Sequence, residues 1–565
     1  MRYINERYVD EAYWKDGSLA AYKLKYPEDF NFAYDIADDI ADNDPKRTAL
    51  VWCNQAGAER IITFETMKSL SNTAANYFKS LGIGKGDGVI VALKRHWQFW
   101  PVALALEKLG AVMIPVTFML KAHDAEYRVT ASGCKAVIST ADGDTADSFN
   151  GLKGEHGELT RIMVASDNGA IIKDGWLDFN AAIASAPGDW ANLKRVATSV
   201  SEPMLMYFSS GTSGQPKMVL HSHKYALGHL LGAKHWHNLQ PDGLHFTIAD
   251  TGWGKAVWGK YYGQWIMESA VLTFDYDTFK ADEILGLIAK HRVTTLCCPP
   301  TMYRMLLKED FAKYDLSRLC YATTAGEAMN PDVFLDFKER TGITIMEGFG
   351  QTETTVTLCN LPGTTPRLGS IGKPSPQYQV ELQNPDGAAC KPGETGEIVI
   401  RAVEGHFPEG LMDCYYRDEA KTSEAIHDGW YHTGDTAWRD EEGYYYFEGR
   451  NDDIIKSSGY RIGPTEIESV LVTHPAVNEC AITGVPDTTG VRGQLVKATV
   501  VLNPGFAGTD ELIKEMQNFV KAETAPYKYP RIIEFVEKLP RTVNGKIRRV
   551  ELRDKSKREE YTPDY

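Results

Sequence analysis

The sequence predicts an α/β fold joined to a β-rich part and a small α+β part, and three changes of pattern predict it. Short apolar runs alternate with amphipathic stretches to about residue 350, as in largely parallel sheets flanked by helices. From about residue 370 the runs alternate apolar with polar and close on tight turns, which reads as antiparallel β. Beyond about residue 450 strand-like and helix-like segments mix again on a smaller scale.

Taken in order, residues 31–43 carry Ile36 and Ile40 at helical spacing, and Asp44-Pro45 ends the pattern. Residues 49–52 read as a strand. Thr63-Phe64 opens a helix with Met67, Leu70, Ala74 and Phe78 on one face. The glycine run from Gly82 to Gly88 precedes the strand 89–93 rather than following it, so it reads as a turn and not as a dinucleotide loop. Apolar runs 204–208 and 218–221 are strand candidates. Residues 248–255 begin at a strand end, amid Trp236, Trp253, Trp258, Tyr261, Tyr262 and Trp265. On a helix Lys255 and Trp258 would share a face. Residues 294–298 form a strand ending at a proline-started helix, with Cys297 and Cys298 as small buried side chains. Residues 379–382 and 396–400 flank the turn Asn384-Pro385-Asp386-Gly387. Thr509-Asp510 caps a helix with Leu512, Ile513, Met516, Phe519 and Val520 on one face. Asn544-Gly545 makes a tight turn that presents Lys546.

The chain has 565 residues, enough for two or more domains, and 43% of them are hydrophobic, an ordinary globular share. A net charge of −15 argues against a general nucleic-acid binder. The nine cysteines show no metal-ligand spacing, and an odd number of them suits a reduced, cytoplasmic setting. The first residues lack an apolar core for secretion. No apolar run approaches the roughly 20 residues of a membrane-spanning helix. His221/His223 and His235/His237 are each two apart without a matching acidic or cysteine ligand, so they do not read as a metal site.

The chemistry concentrates in Ser209-Ser210-Gly211-Thr212-Ser213-Gly214-Gln215-Pro216-Lys217, between the strand candidates 204–208 and 218–221. Small residues let backbone N–H groups approach an anion, the hydroxyls donate further, and Lys217 adds a cation. It is not a Walker A loop, because Pro216 and Met218 stand where that motif needs glycine and a hydroxyl. Further on come Thr323-Thr324-Ala325-Gly326-Glu327-Ala328, then Glu347-Gly348-Phe349-Gly350-Gln351-Thr352-Glu353, then Tyr431-His432-Thr433-Gly434-Asp435. A long charged segment follows from Gly449 to Glu468. Alone, each of the weaker motifs would pass for a turn, a cap or a linker.

In this order the motifs resemble the adenylate-forming enzyme superfamily. DTGW, SSGYRIGPTEIE and APYKYPR are most similar to its medium-chain acyl-CoA synthetases. The resemblance spans nearly the whole chain. It implies a large N-terminal adenylation domain over residues 1–451, of α/β subdomains plus a β-rich subdomain over about 370–451. A small mobile α+β domain over residues 452–565 would follow, hinged at Asp452. It implies ATP, Mg²⁺ and CoA, and a two-step reaction: acid plus ATP gives acyl-AMP and pyrophosphate, then CoA displaces AMP. The loop Ser209–Lys217 would hold the phosphates, as would Arg461. Gly326, Glu327, Ala328, Glu347, Gly348 and Phe349 would border the nucleotide, with Asp435 on the ribose hydroxyls and Arg450 nearby. Thr352 would donate to the α-phosphate, and Glu353, a hard oxygen ligand, would take Mg²⁺. Lys546 matches the catalytic lysine, and its acetylation would remove the charge. Trp253, Gly254, Lys255, Trp258, Cys297 and Gly350 would line the acyl pocket. Ser458, Gly459, Tyr460, Tyr527, Lys528 and Tyr529 would border the CoA arm.

Acetate-specific relatives carry tryptophan at the position of Gly350. Glycine is therefore expected to leave room for a short-to-medium-chain, branched or compact aromatic acid, bounded by Trp253 and Trp258. A homodimer is an expectation of the resemblance alone. Two rivals stand beside a CoA ligase. One is an adenylating enzyme that loads a carrier protein, and the other is a non-catalytic acyl or nucleotide sensor. Tyr527-Lys528-Tyr529 counts against the first, and intact Lys217, Glu353, Asp435 and Lys546 count against the second.

Overall fold

A computed structural model describes residues 3–556 apart from 156, 166, 168, 210–214, 328, 458–459, 488–491, 526 and 542–546. Two large sheets dominate it. One has eight strands, running from Leu177–Asp178 at one edge through Gly88–Ala92 to Pro203–Ser209, Lys217–Ser222 and Cys414–Tyr415 at the other. The second has nine, with Ile345–Phe349, Tyr321–Thr324, Thr295–Cys297, Leu244–Thr247, Ala270–Asp275 and Thr48–Asn54 consecutive. These inner pairings of the second sheet are parallel, as the alternating pattern predicts.

Strand alternation shows how the two sheets share a core. Val89 and Val91 face one apolar cluster while Ile90 and Ala92 face another. Leu50 and Trp52 of the other sheet enter that same first cluster, and Val51 and Cys53 turn away from it. Between them lie the helices Phe64–Ser80 and Phe99–Leu109. The first starts where the Thr63 hydroxyl accepts the Thr66 N–H. The second is buried on every side, which its continuous run of apolar residues allows. Its one cation, Lys108, is satisfied by Asp38 at 2.7 Å, Ser71 at 2.9 Å and Asn72 at 2.7 Å. The helix expected over 31–43 forms as a wide π-type turn, Ala33–Asp38, that runs into Asp39–Asn43.

Antiparallel strands Val380–Gln383, Gly396–Arg401, Trp430–Arg439 and Tyr445–Arg450 form the β-rich part. A register shift at Glu397/Val399 leaves Thr433-Gly434-Asp435 unpaired with the strand Gly396–Arg401 as a bulge, while Asp435 stays paired with Arg450 on the other side. Bulges of this kind re-aim a side chain. The small C-terminal sheet pairs Val477–Pro486 antiparallel with Gln494–Leu502, and the latter parallel with Ile532–Phe535. Helices Pro464–Leu471 and Asp510–Glu523 pack on it. At the junction, Gly449 has φ +150° and lies against the Pro464 ring, so the last β-rich strand touches the first C-terminal helix. Among the described residues no helix is long and apolar enough to cross a membrane.

Candidate functional site

The phosphate-loop strands pair as a hairpin, with Ser209 opposite Lys217. Ser210, Gly211, Thr212, Ser213 and Gly214 lie outside the described residues, as do Ala328, Ser458, Gly459 and Lys546; of Arg461 only the backbone is described. Tyr127 fixes the loop exit by donating to the Pro216 carbonyl at 2.8 Å. Lys217 lies over the Tyr415 ring at 4.6 Å, and the Tyr415 hydroxyl donates to Glu353 Oε1 at 2.9 Å. Cation and carboxylate thus face one region through one shared tyrosine. Burial and then Glu353 raise the Tyr415 hydroxyl far above its ordinary pKa, so it stays a donor.

Thr352 and Glu353 leave the strand Ile345–Phe349 on a tightly held turn. The Thr354 hydroxyl accepts the Gln351 N–H at 3.0 Å, and Met412 N–H donates to the Glu353 carbonyl at 2.7 Å. Gln351 Nε2 donates to the Thr433 carbonyl at 2.8 Å and to Asp435 Oδ2 at 2.5 Å, while its Oε1 accepts from Tyr431 at 2.8 Å. Arg450 approaches Asp435 at 3.4 Å from the neighbouring strand. Burial opposes the Arg450 charge, but Asp435, Asp452 and Glu353 outweigh it and raise its pKa. The two motifs named in the sequence are therefore one unit, tied by Gln351. Glu353 offers a single hard carboxylate, and no cluster of three metal-ligating side chains exists among the described residues. Such a donor set fits one magnesium ion carried mainly by phosphate oxygens.

Glu347 lies in the same strand, 7% exposed, with Oε1 accepting the Met329 N–H at 3.3 Å. Burial pushes its carboxyl up to about 8, so it is protonated at neutral pH. The unfolded chain releases that proton near the ordinary glutamate value of 4.5, so stability is full below that pH and is lost as pH rises toward 8. A melting curve read at pH 5 and pH 8 should fall more steeply for wild type than for Glu347→Gln. At about 1.4 kcal/mol per pKa unit the difference is on the order of a few kcal/mol. Equal slopes in the two proteins would contradict it. Glu107, also pushed up to about 8 by burial, leaves some dependence in both.

The expected acyl residues do converge. Helix Gly254–Lys260 sets Gly254 about one contact distance from Thr352, its added Cβ reaching Thr352 at 3.9 Å. Lys255 Nζ donates to the Ala325 carbonyl at 2.7 Å, bridging this helix to the loop before Gly326. Cys297, Trp236, Tyr321 and Met346 form one buried cluster, with Trp258 packed against it. The room expected beside Gly350 is not there. A Cβ on Gly350 would lie 2.4 Å from Trp258 Cη2 and 2.3 Å from the Thr355 carbonyl. The glycine makes way for the Trp258 indole rather than for a chain. Gly348 does the same for Trp236, whose Nε1 donates to the Met346 carbonyl at 3.1 Å. Trp253 keeps a buried Nε1 with no partner among the described residues.

Gly326 has φ +98° and Glu327 is exposed, accepting from Thr301 at 2.8 Å. Phe349 packs on Phe447 at 5.7 Å. Of the residues expected on the CoA arm, Tyr460 and Tyr527 stack at 4.0 Å and 9°, and both are exposed. Lys528 pairs with Glu466 at 2.5 Å. Tyr529 is half-buried. It packs against the C-terminal core, between Lys521 at 4.0 Å and Arg531 at 4.7 Å, because Arg531 also donates to its hydroxyl. Asp452 sits 3.7 Å from Arg450. Its neighbour Asp453 is buried and paired with Arg549 and Arg553, a tie from the linker to the last helix. Gln351, Trp236, Tyr415, His221 and Asp453 were not singled out as site residues by the sequence. Gln351 and Asp453 stood inside recognised motifs and Trp236 among the aromatics around residues 248–255, which were usable signals; His221 stood only in a histidine pair set aside as a metal site, and Tyr415 had no signal.

Comparison with known proteins agrees with this geometry. Residues 37–416 match the AMP-binding enzyme family, and residues 466–546 match the AMP-binding enzyme C-terminal domain. The human acyl-coenzyme A synthetase ACSM5, mitochondrial, is 38% identical over 96% of this chain and 93% of its own length. The ACSM3 enzyme of Pongo abelii, also named mitochondrial, is 37% identical over 94% and 91%. Among solved structures, the anthranilate CoA ligase AuaEII in complex with anthranoyl-AMP superposes with TM-score 0.83 at 29% identity, covering 94% of this chain and 98% of that one. A benzoate CoA ligase from Burkholderia xenovorans LB400 gives 0.78 at 26%, covering 93% and 100%. The motif order, the joined Gln351–Asp435 unit and these matches over almost the full length have one explanation: the chain belongs to the AMP-binding enzyme family and is an AMP-forming acyl-CoA synthetase that uses ATP, Mg²⁺ and CoA.

Proposed function

We propose that the acid is short to medium in length, branched or compactly aromatic. The observation that carries this is the Trp258 indole seated against Gly350, with Trp236 against Gly348. Two tryptophans fill the space that a long straight chain would need. In this assignment the acid's carboxylate attacks the α-phosphate, a P–O bond forms and pyrophosphate leaves. The thiol of CoA then attacks the acyl carbonyl, a C–S bond forms and AMP leaves. The protein's share is positioning and charge stabilisation. Ser209 to Gly214 and Lys217 hold the phosphates with Arg461, and Thr352 donates to the α-phosphate. Glu353 would hold Mg²⁺, which would supply positive charge against the phosphates. Asp435 takes the ribose hydroxyls, and Gly326 to Ala328 with Glu347 to Phe349 border the base. Trp253, Gly254, Lys255, Trp258 and Cys297 meet the acid. Tyr460 and Tyr527, with Ser458 and Gly459, meet the CoA arm. The domains are 1–451 and 452–565, pivoting at Asp452. Free cysteines throughout support a reducing, cytoplasmic setting.

Pyrophosphate exchange with a panel of acids, followed by thioester detection with and without CoA, tests the assignment. Exchange confined to long straight-chain acids would overturn it. A sharper test is Trp258→Ala. Activity should move toward acids longer by two or three methylenes, at about four-fold in kcat/KM per methylene, the equivalent of about 0.8 kcal/mol each. A chain-length profile matching wild type would mean that Trp258 does not bound the pocket.

A further inference from the structure

The hairpin strand that carries the phosphate loop also touches the magnesium motif from behind. Lys217 begins the strand Lys217–Ser222, and His221 lies near its other end, opposite Leu205 of the partner strand. His221 is fully buried. Its Nε2 is 2.9 Å from the Thr352 carbonyl oxygen, 131 residues away in sequence. A carbonyl can only accept, so Nε2 carries the proton and donates. The other ring nitrogen, Nδ1, has no partner among the described residues. Tyr225 stacks on the ring at 3.7 Å and 22°, which fixes its plane. Burial lowers the ring's pKa to about 4, consistent with a neutral donor. The strand's middle residue Val219 pairs with Tyr415, which bonds Glu353. One strand therefore sets three things at once: the loop lysine, the tyrosine on Glu353 and the carbonyl of Thr352.

We propose that His221 is a positioning residue for adenylation, holding the Thr352-Glu353 backbone in register with the phosphate loop through its Nε2–H. It acts on the first half-reaction only, because the thioester step needs no pyrophosphate-side clamp. This rests on the residue roles given above for Thr352 and Glu353. Without His221 the turn loses the one bond to the loop-bearing strand that it makes among the described residues, and the α-phosphate donor and the metal carboxylate drift from that strand by a fraction of an ångström. Losses of that size matter because such sites act by preorganisation.

The test compares His221→Gln with His221→Asn. Glutamine sets its amide nitrogen where Nε2 stood and can still donate to Thr352. Asparagine sets its nitrogen where Nδ1 stood and falls short. Three quantities are read on each: pyrophosphate exchange, conversion of supplied acyl-AMP and CoA to thioester, and the melting temperature without ligand. The asparagine variant should lose about ten- to hundred-fold in kcat of exchange, with KM for the acid within about two-fold. Its thioester step should stay within about three-fold of wild type, and glutamine should restore exchange to within about three-fold. Asparagine exchanging as fast as glutamine would overturn the proposal, as would equal losses in both half-reactions. If asparagine fails to fold, glutamine alone decides, and exchange below a tenth of wild type in a folded glutamine variant refutes it. Wild-type enzyme that performs no exchange with any acid would instead refute the underlying assignment of the site.

Discussion

Lys546→Ala should lose adenylation by about 10²–10³-fold while still converting supplied acyl-AMP and CoA to acyl-CoA. The expectation rests on the motif around Asn544-Gly545-Lys546, since that residue lies outside the described part of the structure. In the first step two anions must meet, the acid's carboxylate and the α-phosphate. One fixed ammonium between them lowers the cost of the encounter and of the transition state together. That anion pair does not recur in the second step, where a thiol attacks an acyl carbonyl. The half-reactions are therefore assayed apart. Equal losses in both would show that Lys546 serves packing rather than the first chemical step. Acetylation of Lys546 removes the same charge, so an acetylated sample should behave as the alanine variant does.

Asp452→Pro should leave pyrophosphate exchange within a few-fold of wild type and cut overall CoA ligation by ten-fold or more. Proline fixes φ near −65° and removes an N–H. Among the described residues the Asp452 N–H makes no backbone hydrogen bond, whereas Asn451 N–H donates to Gly434 and Asp453 N–H to Arg450. The substitution thus removes freedom and the 3.7 Å ion pair with Arg450, but no backbone hydrogen bond found among the described residues. Asp453 is tied to the C-terminal part by Arg549 and Arg553, and Arg450 belongs to the β-rich part. Asp452 stands between these two anchorages, the position at which a rotation would be absorbed. A folded variant with full steady-state ligation would show that the pivot lies elsewhere.

Much of the site was legible because its chemistry is local in sequence. The loop Ser209–Lys217, the turn Thr352-Glu353 and the bulge at Asp435 each need a particular run of small, hydroxyl or charged residues, and such runs are visible without a fold. The helix Phe64–Ser80 and the strand Gly88–Ala92 were legible for a similar reason, since their apolar period belongs to a single element. The Gly350 expectation failed because a glycine states only that a side chain is missing. It does not say whether ligand or protein fills the space, and here the Trp258 indole fills it. Tyr529 adds a related point: three neighbouring residues in a loop need not face one way, and Arg531 holds this tyrosine partly inward.

By itself the sequence determined the order of the elements, the reaction class and the candidate residues for its chemistry, because periodicity, capping and motif chemistry act within a few residues. Only the tertiary structure decided which distant groups meet. His221 reaching Thr352, Gln351 joining Asp435, and two tryptophans closing over Gly348 and Gly350 are contacts between elements far apart in the chain. Local pattern fixes which face of a strand or helix is buried. What it is buried against follows from close packing of the whole core, where each side chain's volume depends on its neighbours'.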